Sequence, residues 1–182
     1  MQKVLVVVDM QNDFVSGALG SPEAEKILPY VVRRVADGVS RGEKIFFTRD
    51  THQDNYLETQ EGHKLPVPHC IEGSGGWQIV DQLQKYASSC EVMDKITFGS
   101  VQLGERMKQL QAEKTIEQIT FIGLCTYICV ISNAVLIKAY LPEVKILVDA
   151  RCCAGVTPQS HENALKAMQM CQIEIENFSK NC

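Results

Sequence analysis

Short runs of apolar, mostly β-branched residues recur along the chain, and between them apolar positions return at helical spacing. Lys3–Val8 (KVLVVV) is apolar at every position after its lysine, the pattern of a strand covered on both faces. Ser21–Arg41 then reads as a helix, with Ser21 and Pro22 as a cap and first-turn pair. Lys44–Thr48 predicts a second strand, Trp77–Tyr86 a helix, Cys90–Asp94 a third strand and Gly104–Ala112 a helix. The remaining pattern predicts a strand at Ile119–Ile122, a helix from about Tyr127 to Tyr140 and a strand at Lys145–Val148. A helix at Pro158–Met170, capped by Thr157, leads to a last strand near Gln172–Ile175. Arg49–Gly75 has no regular period and reads as a long functional loop.

Strands alternating with helices imply an α/β fold: three layers, with a mostly parallel sheet of roughly six strands between helices. Repeats, low-complexity segments and linkers are absent from the pattern, so residues 1–182 read as a single domain. In such sheets sites form where strands end at their carboxyl edge. That edge would receive Asp9, Asp50 with His52, Lys95, and the segment Cys125–Cys129 (CTYIC) from four different strands.

The net charge of −4 argues against nucleic-acid or anionic-membrane partners. No stretch approaches the roughly 20 apolar residues of a membrane span. The first residues read as a strand and not as a secretion signal, which suggests a cytoplasmic protein. The eight cysteines, at 70, 90, 125, 129, 152, 153, 171 and 182, are even in number, as a disulfide framework would be. Cys152 and Cys153 are adjacent, however, and Cys171 lies in an apolar, strand-like stretch, so buried free thiols are the expectation. A zinc knuckle needs two CxxC-like pairs, and CTYIC is the only pair near that spacing.

A helix starting near Tyr127 would place Cys129 in its first turn, where unpaired amides lower a thiol pKa to about 3.5–7.5. Cys125 would lie in the turn itself, its backbone amide mattering more than its sulfur. The alternative is that both cysteines only fill space. Asp9, directly after VLVVV, is costly to bury unless paired or functional, though it could simply cap a loop. With Lys95 it would complete a nucleophile, a proton acceptor and a cation, the parts of covalent acyl transfer. The loop between strands adds Asp50 and His52, Glu61 and His63, and His69 and Cys70. Such oxygen and nitrogen donors suit a divalent metal, zinc, iron or manganese, although scattered loop histidines are common. Trp77 reads as a core residue at a helix start.

VVVDMQNDF (6–14), TRDTH (48–52), PHC (68–70), DKITFGS (94–100) and GLCTYICV (123–130) occur in one order and spacing. Together they resemble the isochorismatase-like cysteine hydrolases, most closely the nicotinamidase branch, over Val4 to about Met170. The resemblance implies an Asp9–Lys95–Cys129 triad and a non-proline cis peptide between Leu124 and Cys125. It implies that the amides of Cys125 and Cys129 face the developing oxyanion. It also implies metal ligation by Asp50, His52 and His69, with Glu61 as the fourth ligand and His63 its competitor. The metal would bind the pyridine nitrogen, and Phe14 would pack on the ring. Two positions depart from the branch: Tyr127 stands where an aspartate is common, and Pro66 where an aromatic residue often precedes the last metal histidine. The implied activity is hydrolysis of a small planar amide, nicotinamide to nicotinate and ammonia in NAD salvage, by a homo-oligomer. The alternatives are a sibling hydrolase acting on a carbamoyl or ureido compound, or a non-catalytic ligand-binding or thiol-sensing protein on the same scaffold. Isochorismatase activity is disfavoured by the full triad.

Overall fold

The computed structural model describes residues 1–178; Cys182 lies outside the described residues. Six strands form one all-parallel sheet: β1 (Gln2–Val8), β2 (Lys44–Asp50), β3 (Glu91–Lys95), β4 (Ile116–Leu124), β5 (Lys145–Ala154) and β6 (Glu174–Glu176). They lie in the order β3-β2-β1-β4-β5-β6. The chain therefore reverses direction across the sheet between β1 and β4, which makes their carboxyl ends a topological switch point.

Both faces of the sheet are covered, so β1 is apolar at consecutive positions. Val4, Val6 and Val8 join one core with Phe46, Phe121 and Val148. Against it pack α5 (Val101–Glu113), α6 (Ile131–Tyr140) and α7 (Pro158–Met170). Leu5 and Val7 point the other way, into a core with Phe47 and Leu124, closed by α2 (Pro22–Ser40) and α4 (Asp81–Ala87). Ser21 accepts from the Ala24 amide to cap α2, and Thr157 and Ser160 form a capping box on α7. Among the described residues no helix is long and apolar enough to cross a membrane.

Several expectations shift. The helix expected from Trp77 starts only at Asp81, after a β-bridge between Gln11 and Ile79. Trp77 is thus a half-buried loop residue: the Arg49 guanidinium lies 3.4 Å above its ring, and its indole N–H donates to Thr51. The loop expected at Arg49–Gly75 begins with the end of β2 and carries a 3-10 turn at Tyr56–Glu58 and the short helix α3 (Gln60–Lys64). A four-residue helix, α1 (Asn12–Val15), was not legible in the pattern either. β5 runs beyond Val148 because its pairing with β4 slips between Phe121 and Gly123, bulging out the polar Asp149–Arg151 stretch. Cys171 ends α7 and is exposed, outside any strand. Cys152 and Cys153 point to opposite faces of β5, and all seven described cysteines are free.

Gly123 is the tightest point of the switch. Its φ of 115° suits glycine, and a Cβ there would collide with the Val8 carbonyl. Gly123→Ala is expected to cost about 2–5 kcal/mol from strain plus overpacking, read as a lower urea midpoint at unchanged m.

Candidate active site

Four adjacent strands, from the edge strand β3 to β4, each bring a candidate side chain to the carboxyl edge of the sheet. Asp9 follows β1 with φ of 47°; its amide donates to the Thr48 carbonyl, and its Oδ1 accepts from the Thr48 hydroxyl at 2.7 Å. Asp50 ends β2 and Lys95 ends β3. Beyond β4, the Leu124–Cys125 peptide is cis, as the resemblance implies. Thr126–Val130 then make a π-type turn leading into α6. Cys125 accepts from the Ile128 and Val130 amides, which curls the turn and brings Cys129 back over the sheet edge.

Lys95 is the hub. Its Nζ lies 2.7 Å from Asp9 Oδ2, 3.0 Å from Asp50 Oδ1 and 3.6 Å from Cys129 Sγ, all of them buried. Burial alone would favour the neutral amine, but the charges of Asp9, Cys129 and Asp50 outweigh it and raise its pKa, so Lys95 stays an ammonium. Asp9 Oδ2 faces the Lys95 ammonium and keeps acceptor capacity beyond that ion pair. The Cys129 sulfur accepts from the same ammonium that pairs with Asp9, so Lys95 bridges the thiol and the carboxylate.

The two carboxylates are tuned apart. Burial raises Asp9, with Lys95 pulling against it and Asp50 adding to the rise. Asp50 is also buried, yet its hydrogen bond with His52, the nearby His69 ring and the charge of Lys95 hold it well below the ordinary carboxylate range. Asp9 is therefore the better proton acceptor and Asp50 the fixed anion. The expectation of a depressed cysteine pKa is corrected. Burial first, then Asp9, push the Cys129 thiol well above its ordinary value, and Lys95 offsets this only in part. Cys129 lies four residues beyond the cap at Cys125, inside the turn, where desolvation outweighs the helix-end field.

A second cluster adjoins the first through Asp50. One donor atom each from Asp50, His52, Glu61 and His69 lies within 4.8 Å of the others. His52 Nε2 is 3.0 Å from Asp50 Oδ2, and His69 Nε2 is 3.6 Å from the same oxygen. His69 Nδ1 sits 2.8 Å from the Val67 carbonyl, which fixes that nitrogen as the N–H and leaves Nε2 as a ligand lone pair. Two carboxylates and two imidazoles in a buried pocket fit a divalent cation. His63 is exposed near the end of α3 and outside the cluster; Glu61, two residues earlier, faces it.

Residues that the sequence reasoning missed hold these groups in place. Gln11 clamps the backbone of Asp50, accepting from its N–H at 2.7 Å and donating to its carbonyl at 2.8 Å. Asp13 accepts from the Cys70 amide and so ties down the segment carrying His69. Both lie within the quoted DMQNDF motif, which was their only signal. Asn133 donates to the Cys129 carbonyl and accepts from the Ser100 amide, joining the Cys125–Cys129 turn to the loop after Lys95. Tyr56 packs edge-on against His52 and His69.

Both clusters open into one cavity of about 580 Å³, within the range of small-ligand sites. Phe14, Ile96, Phe98, Cys125, Ile128 and Cys129 contribute to its wall, whereas the exposed Pro66 does not.

Residues 3–177 match the isochorismatase domain family. The chain belongs to the isochorismatase family. It is 28% identical to an uncharacterised isochorismatase family protein, PncA, of Bacillus subtilis, covering 91% of this chain and 93% of that one. A crystal structure of the nicotinamidase/pyrazinamidase PncA from Bacillus subtilis superposes with a TM-score of 0.82 at 26% identity, covering 96% and 99% of the two chains. The zinc complex of Pyrococcus horikoshii pyrazinamidase gives 0.80 at 25% identity, covering 98% and 100%. These relatives place the chain in the nicotinamidase branch, and the fold of the family is the one described above.

Proposed function

We propose that the protein is an amidohydrolase that converts nicotinamide to nicotinate and ammonia through a thioester on Cys129. One observation carries this reading: Lys95 joins Asp9 and Cys129 to Asp50 of the metal-type cluster, and Cys129 and that cluster line one cavity. Sulfur attacks the amide carbon as Asp9 takes the thiol proton, a role that its burial-raised basicity suits. The amides of Cys125 and Cys129 would face the oxyanion, each such donor being worth roughly 10²–10³ in rate. Asp9 returns the proton to the departing nitrogen, releasing ammonia. It then takes a proton from the water that cleaves the thioester, freeing nicotinate and the thiol. Lys95 keeps the buried anions in place throughout.

Asp50, His52, Glu61 and His69 would hold zinc, iron or manganese, and the zinc bound by the Pyrococcus relative supports such an ion. When bound, the ion supplies an acceptor for the pyridine nitrogen and so orients the ring, which Phe14 and Phe98 would flank. The seven free thiols suit a reducing cytoplasmic setting.

Ammonia release from nicotinamide by metal-loaded and chelated protein is the direct test. Turnover that falls on chelation is expected, and its absence from folded, metal-loaded protein would reject nicotinamide. A sibling acting on a carbamoyl or ureido compound would instead turn that compound over after chelation, and a thiol sensor would hydrolyse none of these. For the metal, His69→Ala and Glu61→Gln should weaken zinc binding by at least roughly tenfold in calorimetry, while His63→Ala should not.

A further inference from the structure

His161, the fourth histidine, has no place in either cluster. It lies in the first turn of α7, half-buried against the back of the nucleophile turn. Its Nδ1 is 2.8 Å from the hydroxyl of Thr126, which is fully buried and has no other side-chain partner among the described residues. Thr126 directly follows Cys125 and opens the turn that ends in Cys129 and Val130. The same segment braces the next residue: the Tyr127 ring lies against Gly155, where a Cβ would come within 3.1 Å of it. The turn is thus set from inside by Asn133 and from behind by His161.

We propose that His161 is a positioning residue, its Nδ1 accepting from the Thr126 hydroxyl and holding the Cys125–Cys129 turn in its reactive shape. The acceptor role needs the neutral ring with its proton on Nε2. Protonation would make Nδ1 a donor and leave the Thr126 hydroxyl proton to find another acceptor. Burial keeps the ring neutral by pushing its pKa down, with Glu162 on the same helix pulling the other way. The titratable side chains of the facing turn and its cap are Cys125, Tyr127 and Cys129. The proposal rests on Cys129 being reactive and does not depend on the identity of the amide.

The test is the rate of Cys129 alkylation by iodoacetamide, followed by mass spectrometry between pH 5 and 9, with urea unfolding of each variant alongside. His161→Ala and Thr126→Val should slow alkylation by roughly tenfold, because small misplacements of a reacting atom have large effects on rate. His161→Asn, which puts an acceptor where Nδ1 was, and Thr126→Ser should recover most of the wild-type rate. Wild type should also show an acid-side break, below the ordinary histidine pKa, that His161→Asn lacks. Wild-type rates and pH profile in His161→Ala would overturn the proposal. So would equal slowing by Ala and Asn in step with lost stability, since that describes packing alone. Iodoacetamide needs no amide substrate, so failure here is separable from failure of nicotinamide to turn over.

Discussion

Cys129→Ala will abolish nicotinamide hydrolysis, by about 10⁴-fold or more, while the folded protein still binds the amide. The sulfur forms the only covalent bond to substrate in the proposed cycle, and what remains is binding plus oxyanion stabilisation. Cys125 cannot take over, although its thiol also lines the cavity. It is Cys129 that Lys95 holds at 3.6 Å, on the same ammonium that pairs with Asp9. Removing one buried sulfur should cost only about 1 kcal/mol, so a near-normal thermal transition is part of the expected result. Stopped ammonia release together with calorimetric binding of nicotinamide separates lost chemistry from lost fold. Residual turnover within tenfold of wild type would sink the thioester mechanism.

Lys95→Met should remove activity and also destabilise the fold, by about 3–5 kcal/mol near neutral pH, because two buried carboxylates lose their shared cation. The pH dependence follows from the direction of each shift. Lys95, raised in the folded state, contributes stability that is complete below its unfolded pKa of about 10.4 and is lost as pH rises through the folded value. Asp50, depressed in the folded state, contributes stability present above its unfolded pKa of about 3.9, lost as pH falls through the folded value. Without Lys95, both Asp9 and Asp50 hold their protons more tightly in the folded state. The variant's deficit, from urea unfolding, should therefore shrink as pH falls and Asp9, already raised by burial, takes up a proton. Adding Asp9→Asn to Lys95→Met should recover part of the stability and none of the activity. A deficit that does not change with pH would mean that lost packing of the lysine stem, and not unpaired charge, sets the cost.

Much of this was legible because adjacent levels agree. KVLVVV is apolar at successive positions only because β1 is covered twice, and that burial is what strand order and parallel pairing require. The caps at Ser21 and Thr157 act within one turn, so they show in the sequence without knowledge of the fold. Asp9, Asp50, Lys95 and the CTYIC turn could be placed on one edge since each follows an apolar run directly. The short elements were illegible for the opposite reason. α1 and α3 are too brief and too polar to be helical alone, and form where Gln11, Asp13 and Tyr56 anchor them.

Sequence by itself thus determined the layered parallel fold, the strand ends that carry chemistry and the residue types available there, because burial and periodicity are local properties of a chain. Tertiary structure alone decided between Glu61 and His63, since residues two apart on a helix face different sides. It also made Lys95 the shared hub and put His161 behind the nucleophile turn. Most of all it set the sign of the Cys129 shift. A thiol's proton affinity follows from desolvation and the charges around it, and those neighbours come from strands 34 to 120 residues away.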